Sequence, residues 1–589
     1  MRDEQKYNVG NSIGRIFFVA VFMTFQVWLM YAIITHYDDG SGILDKTIQL
    51  IALLIVLRVY GQHKNAANKM PWIILILIFP LLGILLWSLT SGSLLLVRKK
   101  KHFLKYDAAL PGILPRNQNA ARALASTDRG LLEESRYVAE HGRFPVYQGT
   151  SARYFPEAEQ GRLSQIEDLR KAEHSIFLEY FAIEDRESFA PIREILYQKA
   201  AEGVDVRILY DDIGSASMLS FRFVKLMESH GIRCRDFNPI SPFFSIFMNN
   251  RDHRKMTIID GKIGYTGGYN LANEYFGFDR PYGHWKDTGV RLEGDAVRSM
   301  TAMFLEMWNA MRREDWTADL TKYLPAVKAG ELTAEADSMA ERRKAVSLPD
   351  ENETADHVHN VPRGSGQMAY LSAEADGQGA VLADRGEAGL DDQTGLTRSA
   401  QLGRALDGKC FVQPYADTPM DEEQTGENVI MNILNTAQDY VWISTPYLVL
   451  SDEMSRALTL AAKRGVDVQI LTPGIPDKKI VYQITRSYYG ALVAGGVRIF
   501  EYTPGFNHAK MTVSDDATAV VGSINLDFRS LYLHFEDAVL FHGGQVVSDV
   551  KQDFEHIWSQ SQEVTERYAH RGLGLRVWQS VLRLIAPLT

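Results

Sequence analysis

The chain has 589 residues, more than one hydrophobic core usually serves, so two or more folded units are expected. With 46% hydrophobic, 11% aromatic and 23% charged residues, it is neither wholly disordered nor collagen-like. The formal charge is −10, but residues 1–105 carry 12 basic and 5 acidic side chains, which leaves −17 on the remainder. A body that neutralises many phosphates usually shows the opposite balance, so no nucleic-acid partner is expected. Two cysteines, Cys234 and Cys410, cannot build a disulfide framework.

The first 105 residues read as an α-helical membrane anchor of two or three apolar segments. Residues 16–35 form a run of 20 without a charge, about 30 Å as a helix and long enough to cross a hydrocarbon core. A shorter apolar stretch covers 47–57, and a longer uncharged run covers 70–97. Basic residues precede segment one (Arg2, Lys6, Arg15), follow segment two (Arg58, Lys64, Lys69) and follow segment three (Arg98, Lys99, Lys100, Lys101). The positive-inside rule then puts all three clusters in the cytoplasm, so segment three enters and leaves by one face. Pro80 and Gly83 at its midpoint predict a re-entrant hairpin; a two-helix anchor with a short second segment is the alternative. Either version predicts a multi-pass cell-membrane protein with its carboxy-terminal body on the cytoplasmic side.

Residues 106–324 and 409–565 read as two copies of one domain. Ser175–Phe181 answers to Tyr440–Tyr447, Ala200–Leu209 to Ala461–Leu471, and Gly231–Pro239 to Gly496–Pro504. Gly294 and Trp308 answer to Gly544 and Trp558. Helical stripes (Ile192, Ile195, Leu196; Met454, Leu458, Ala461) precede β-branched runs in both copies. This alternation predicts an α/β fold of two packed mixed sheets flanked by helices. Between the copies, residues 326–408 hold 15 acids and 8 bases with few aromatics, which reads as an acidic flexible insertion within 325–408. His357 and His359 inside it read as solvated side chains. Residues 566–589 form a C-terminal segment.

Each copy carries one polar signature. His253, Lys255, Asp260 and then Gly267-Gly268 and Asn270 match His508, Lys510, Asp515, Gly522-Ser523 and Asn525 at every spacing. Side chains two apart on a strand share a face, so each copy presents an imidazole beside an ammonium. Two of each around one space, with the Asn270 and Asn525 amides, suit a phosphoryl transition state. No cluster with metal-ligand spacing accompanies them, so no metal is expected. One histidine can attack phosphorus while the other handles the alcohol's proton. Asp260 and Asp515 belong to the signature and are counted with its catalytic set. They lie an odd number of positions from their histidines, which predicts bracing of the backbone or a lysine more than contact with substrate. Asp287 and Glu536 (or Asp537), in matching His284–Asp287 and His534–Asp537 stretches, are candidates to hold the imidazole tautomers. Gly268, Ser523, Asn270, Asn525, Asp287 and Glu536 together make the expected binding set.

These residues resemble the phospholipase D superfamily, whose hallmark is a duplicated His-x-Lys-x4-Asp followed by Gly-[Gly/Ser]-x-Asn. Within it the chain is similar to bacterial cardiolipin synthases, through residues 79–83, 277–279, 444–447 and 525–530 as well. Lys286 stands where that family usually has Arg, and His534 where it often has Asn. The resemblance implies transfer of a phosphatidyl group from one phosphatidylglycerol to another through a phosphohistidine. Glycerol is released, cardiolipin is formed, and no cofactor takes part. It implies His253 as nucleophile and His508 as acid/base. Water as acceptor would make a phospholipase D and serine a phosphatidylserine synthase-like transferase, while a dead site would leave a membrane scaffold.

Overall fold

A computed structural model describes residues 43–62, 66–91, 103–114, 117–239, 250–311, 316–324, 397–569 and 572–586, with Thr24 and Lys100. Eight strands belong to the first lobe: β1 Ser151–Phe155, β2 Ser175–Tyr180, β3 Asp205–Asp211, β4 Arg233–Phe237, β5 Lys255–Ile259, β6 Ile263–Gly267, β7 His284–Lys286 and β8 Gly289–Glu293. Nine belong to the second: β9 Cys410–Asp417, β10 Tyr440–Ser444, β11 Asp467–Pro473, β12 Arg498–Tyr502, β13 Gly505–Asn507, β14 Met511–Ser514, β15 Thr518–Gly522, β16 Glu536–Gly543 and β17 Ser561–Glu563.

The sheets run β1-β8-β6-β5-β2-β3-β4 and β9-β16-β15-β14-β10-β11-β12-β17, so one order is repeated and the second gains an edge strand. Both are mixed, with parallel β2–β3–β4 and β10–β11–β12 joined to antiparallel hairpins. The predicted duplicated α/β architecture is therefore present.

The period-2 alternation of β2 explains how the lobes join. Ile176, Leu178 and Tyr180 face an outer core with Ile192, Ile195 and Leu196 of helix Ala190–Ala201. Phe177 turns the other way and stacks on Phe304 at 4.6 Å in a core that continues into Val441, Met511, Val521 and Val539 of the second lobe. One hydrophobic core thus runs through both lobes, and the active-site strands sit over it. Residues 118–140 precede β1 in sequence yet pack on the second lobe. Gln413 Nε2 donates to the Ser135 and Phe144 carbonyls, and Leu124 and Leu131 cluster with Leu402, Leu406 and Phe411. Of the expected acidic insertion, residues 325–396 lie outside the described residues. From Thr397 the chain departs from that expectation and forms helix Arg398–Ala405, because Thr397 caps it and Leu402 buries into that cluster.

Segment one of the expected anchor also lies outside the described residues, Thr24 aside. Segment two is helix Ile43–Tyr60. Segment three is broken at Phe79 into helices Ala66–Ile78 and Pro80–Ser91. A Cβ on Gly83 would lie 2.6 Å from Ile76 Cα, so the two arms fold closely against each other. Among the described residues no helix is long and apolar enough to cross a membrane.

Candidate active site

His253 lies just before β5 and His508 in the turn between β13 and β14. Each motif is pinned by backbone to the other lobe: His253 N donates to the Phe535 carbonyl at 2.9 Å, and His508 N to the Lys286 carbonyl at 2.7 Å. The residue following each acceptor then holds the ring. His253 Nδ1 is 2.9 Å from Glu536 Oε1, and His508 Nδ1 is 2.6 Å from Asp287 Oδ2. Each lobe therefore supplies one histidine and the carboxylate for its sibling's histidine. Lys286 secures the junction through a 2.9 Å ion pair to Asp553 in helix Gln545–Ser559.

Gly268 and Ser523 occupy equivalent places behind these carboxylates. Gly268 has no side chain because a Cβ there would sit 2.1 Å from Asp287 Oδ1. Ser523 donates its hydroxyl to Glu536 Oε2, and Ser530 donates to Oε1. Asn270 accepts from Ala182 N at 3.1 Å and donates to the Tyr275 hydroxyl at 2.8 Å. These two bonds fix the orientation of the amide and leave its second N–H. Asn525 leaves its side-chain oxygen without a hydrogen-bond partner, and that oxygen is buried. Asp287 and Glu536 contact the histidines directly, and Gly268 and Ser523 contact those carboxylates.

Asp260 and Asp515 are not among the imidazoles. Asp260 accepts from the backbone N–H groups of Glu173, His174 and Ser175, and Asp515 from those of Gln438, Asp439 and Tyr440. Both adopt left-handed backbone, φ 54° and 49°, at the turn after the motif strand. They clamp the entries to β2 and β10, the backbone bracing that their odd spacing predicts.

Burial lowers the pKa of both histidines well below the ordinary value, and for His508 the Lys510 and Lys255 charges add to this. Lys255 thus acts electrostatically on the other lobe's histidine. Burial pushes Lys255 down to about 8 and Lys510 to about 7, against the pull of the surrounding carboxylates. The carboxylates diverge. Burial pushes Asp287 up to about 7. Burial would raise Glu536 too, but the His253 interaction, His534 and Lys255 outweigh it and hold Glu536 below the usual carboxylate range. Lys510 Nζ also lies 2.7 Å from His508 Nδ1.

Spacing along the chain missed one neighbour. His534 packs beside His253 with ring centroids 5.3 Å apart, and its Nδ1 is 3.6 Å from Glu536. His253, His534 and Glu536 have donor atoms within 4.8 Å of one another, a possible metal-ligand group among the described residues. His253 is far from the other two in sequence, so no motif could display the group.

The family model for the cardiolipin synthase phospholipase D-like domain matches residues 165–308 and 430–558, and that for the phospholipase D-nuclease N-terminal region matches 48–91. An uncharacterized protein of Streptococcus mutans is 36% identical over 539 residues, covering 90% of this chain and 99% of its own length. A cardiolipin synthase of a Geobacillus species is 29% identical over 561 residues, covering 93% of each chain. A cardiolipin synthase of Halalkalibacterium halodurans is 27% identical over 559 residues, covering 93% of this chain and 94% of its own. With both signatures intact, the chain belongs to the phospholipase D superfamily and, within it, to the cardiolipin synthase family of phosphatidyltransferases.

Proposed function

We propose that the chain is a cardiolipin synthase that moves a phosphatidyl group from one phosphatidylglycerol to the terminal hydroxyl of another. The observation that carries this reading is the reciprocal pairing of His253 with Glu536 and His508 with Asp287. The two pairs set opposite tautomers. Ionised Glu536 accepts the Nδ1–H of His253 and leaves the Nε2 lone pair for attack on phosphorus. At His508, Asp287 in its protonated form donates to Nδ1 beside the Lys510 ammonium, which puts the ring proton on Nε2.

In the first step His253 Nε2 bonds to phosphorus as the P–O bond to glycerol breaks. His508 gives its Nε2 proton to the departing oxygen and takes the Asp287 proton at Nδ1. Lys255 and Lys510 offset the charge spread over the phosphoryl oxygens. In the second step the acceptor oxygen bonds to phosphorus as the P–N bond breaks; its proton goes to His508 Nε2, and His508 returns the Nδ1 proton to Asp287. The cycle returns every proton and needs no cofactor. The apolar segments before residue 98 serve as the membrane anchor in this reading, with the hairpin at Phe79 re-entering by one face and the catalytic lobes in the cytoplasm.

Incubation of the purified chain with labelled phosphatidylglycerol tests the reading. Cardiolipin with one free glycerol per turnover is expected. Phosphatidic acid would make the enzyme a hydrolase, phosphatidylserine formed on adding serine a serine transferase, and no turnover a scaffold.

A further inference from the structure

Glu536 faces two imidazoles. It holds His253 Nδ1 at 2.9 Å, and His534 Nδ1 stands 3.6 Å from the same oxygen. The His534 side chain is only 10% exposed, yet neither of its ring nitrogens has a hydrogen-bond partner. The equivalent place beside His508 is filled by Trp285, centroid 5.6 Å away, so only the His253 side has this extra donor. Two imidazoles and a carboxylate are the donor set of His2Glu zinc sites. Hydroxyls of Ser523 and Ser530 already orient the carboxylate from behind, as supporting residues do at metal centres.

We propose that His253, His534 and Glu536 form a binding site for a divalent transition-metal ion, with Zn²⁺ as the probe, and that occupancy switches the transferase off. Donor atoms around tetrahedral zinc stand roughly 3.3 Å apart. The widest pair, now within 4.8 Å, closes by about 1.5 Å on binding. The metal takes the Nδ1 lone pair of His253, and the proton that was on Nδ1 moves to Nε2, where a metal-bound neutral imidazole carries it. The Nδ1–H···Glu536 bond is replaced by two metal bonds, and Nε2 no longer has a lone pair for phosphorus. Binding is independent of the proposed reaction; the inhibitory consequence rests on His253 being the nucleophile.

Equilibrium dialysis of the full-length chain in detergent micelles against Zn²⁺ tests binding directly. One ion per chain is expected, with affinity at least tenfold weaker in His534→Asn and His534→Phe, each checked for native circular dichroism. In parallel, the fraction of each protein's own metal-free rate that survives added Zn²⁺ is measured. The concentration for half-inhibition is expected to rise at least tenfold in both variants, and EDTA to restore the wild-type rate. Zn²⁺ retention that ignores both substitutions overturns the site. Stoichiometric binding without loss of rate overturns the switch.

Discussion

Glu536, in the second lobe, accepts the Nδ1–H of His253, in the first, and is itself held by the hydroxyls of Ser523 and Ser530. Asp287 returns the arrangement to His508 across the same junction. Neither lobe contains both a motif histidine and the carboxylate that holds its Nδ1, so the site exists only where the lobes meet.

The two carboxylates should differ in their response to neutralisation. Glu536→Gln removes an ionised acceptor and frees His253 to adopt the wrong tautomer, an effect on the order of 10⁴ in turnover in a comparable triad. Asp287, raised to about 7, is already partly protonated at neutral pH. Asp287→Asn keeps a donor to His508 Nδ1 but cannot pass on a proton, so it should still lose on the order of 10²-fold in kcat at pH 7, less than Glu536→Gln. Steady-state kinetics of the two variants checks the ranking.

The lysines predict an alkaline limb. A depressed lysine pKa means that the charged form is present below that pKa and lost above it. Lys510 at about 7 and Lys255 at about 8 shed their charges as pH rises through that window, so kcat/KM should fall from pH 7 to 9. Lys510→Arg keeps its charge throughout and should shift the fall only partly upward, leaving the Asp287 and Lys255 transitions, at a lower maximum rate. A pH–rate profile of both proteins measures the shift.

Gly268→Ala places a Cβ 2.1 Å from Asp287 Oδ1. The carboxylate must move away from His508, so kcat should fall by roughly ten- to a hundredfold, the range for displaced positioning groups. Denaturation profiles of variant and wild type should remain similar.

Asp515→Ala leaves three backbone N–H groups without their carboxylate acceptor at the entry to β10. A loss of about 2–4 kcal/mol in stability is expected, because three donors, that of Tyr440 buried, lose their bonds to the carboxylate. The rate per folded molecule should change far less than in Glu536→Gln. Denaturant unfolding alongside active-site titration separates the two effects.

Much of this was legible in the sequence. Identical spacing from His253 to Asn270 and from His508 to Asn525 marked both halves of the site, and the answering stretches Ser175–Phe181 and Tyr440–Tyr447 marked the duplicated domain. The carboxylate register was not legible. Matching His284–Asp287 to His534–Asp537 makes Asp537 the counterpart of Asp287, but the backbone pairs Gly268 N with the Thr288 carbonyl and Ser523 N with that of Asp537. Thr288 thus corresponds to Asp537, and Asp287 to Glu536. The shared His-x-x-Asp pattern is one residue out of step with the fold. Sequence spacing also cannot reveal side chains that meet only when the lobes pack, which is why the His534–Glu536–His253 group escaped it. The partners that orient Asn270, Ala182 N and the Tyr275 hydroxyl, were not legible either, because they are supplied by the turns around it.

Acid quenching during turnover with labelled phosphatidylglycerol, followed by peptide mapping, tests the shared site most directly. The account predicts at most one phosphatidyl group per chain, attached to His253 and absent from Glu536→Gln. Label on both His253 and His508 approaching two per chain would mean that each lobe works alone, and would contradict it.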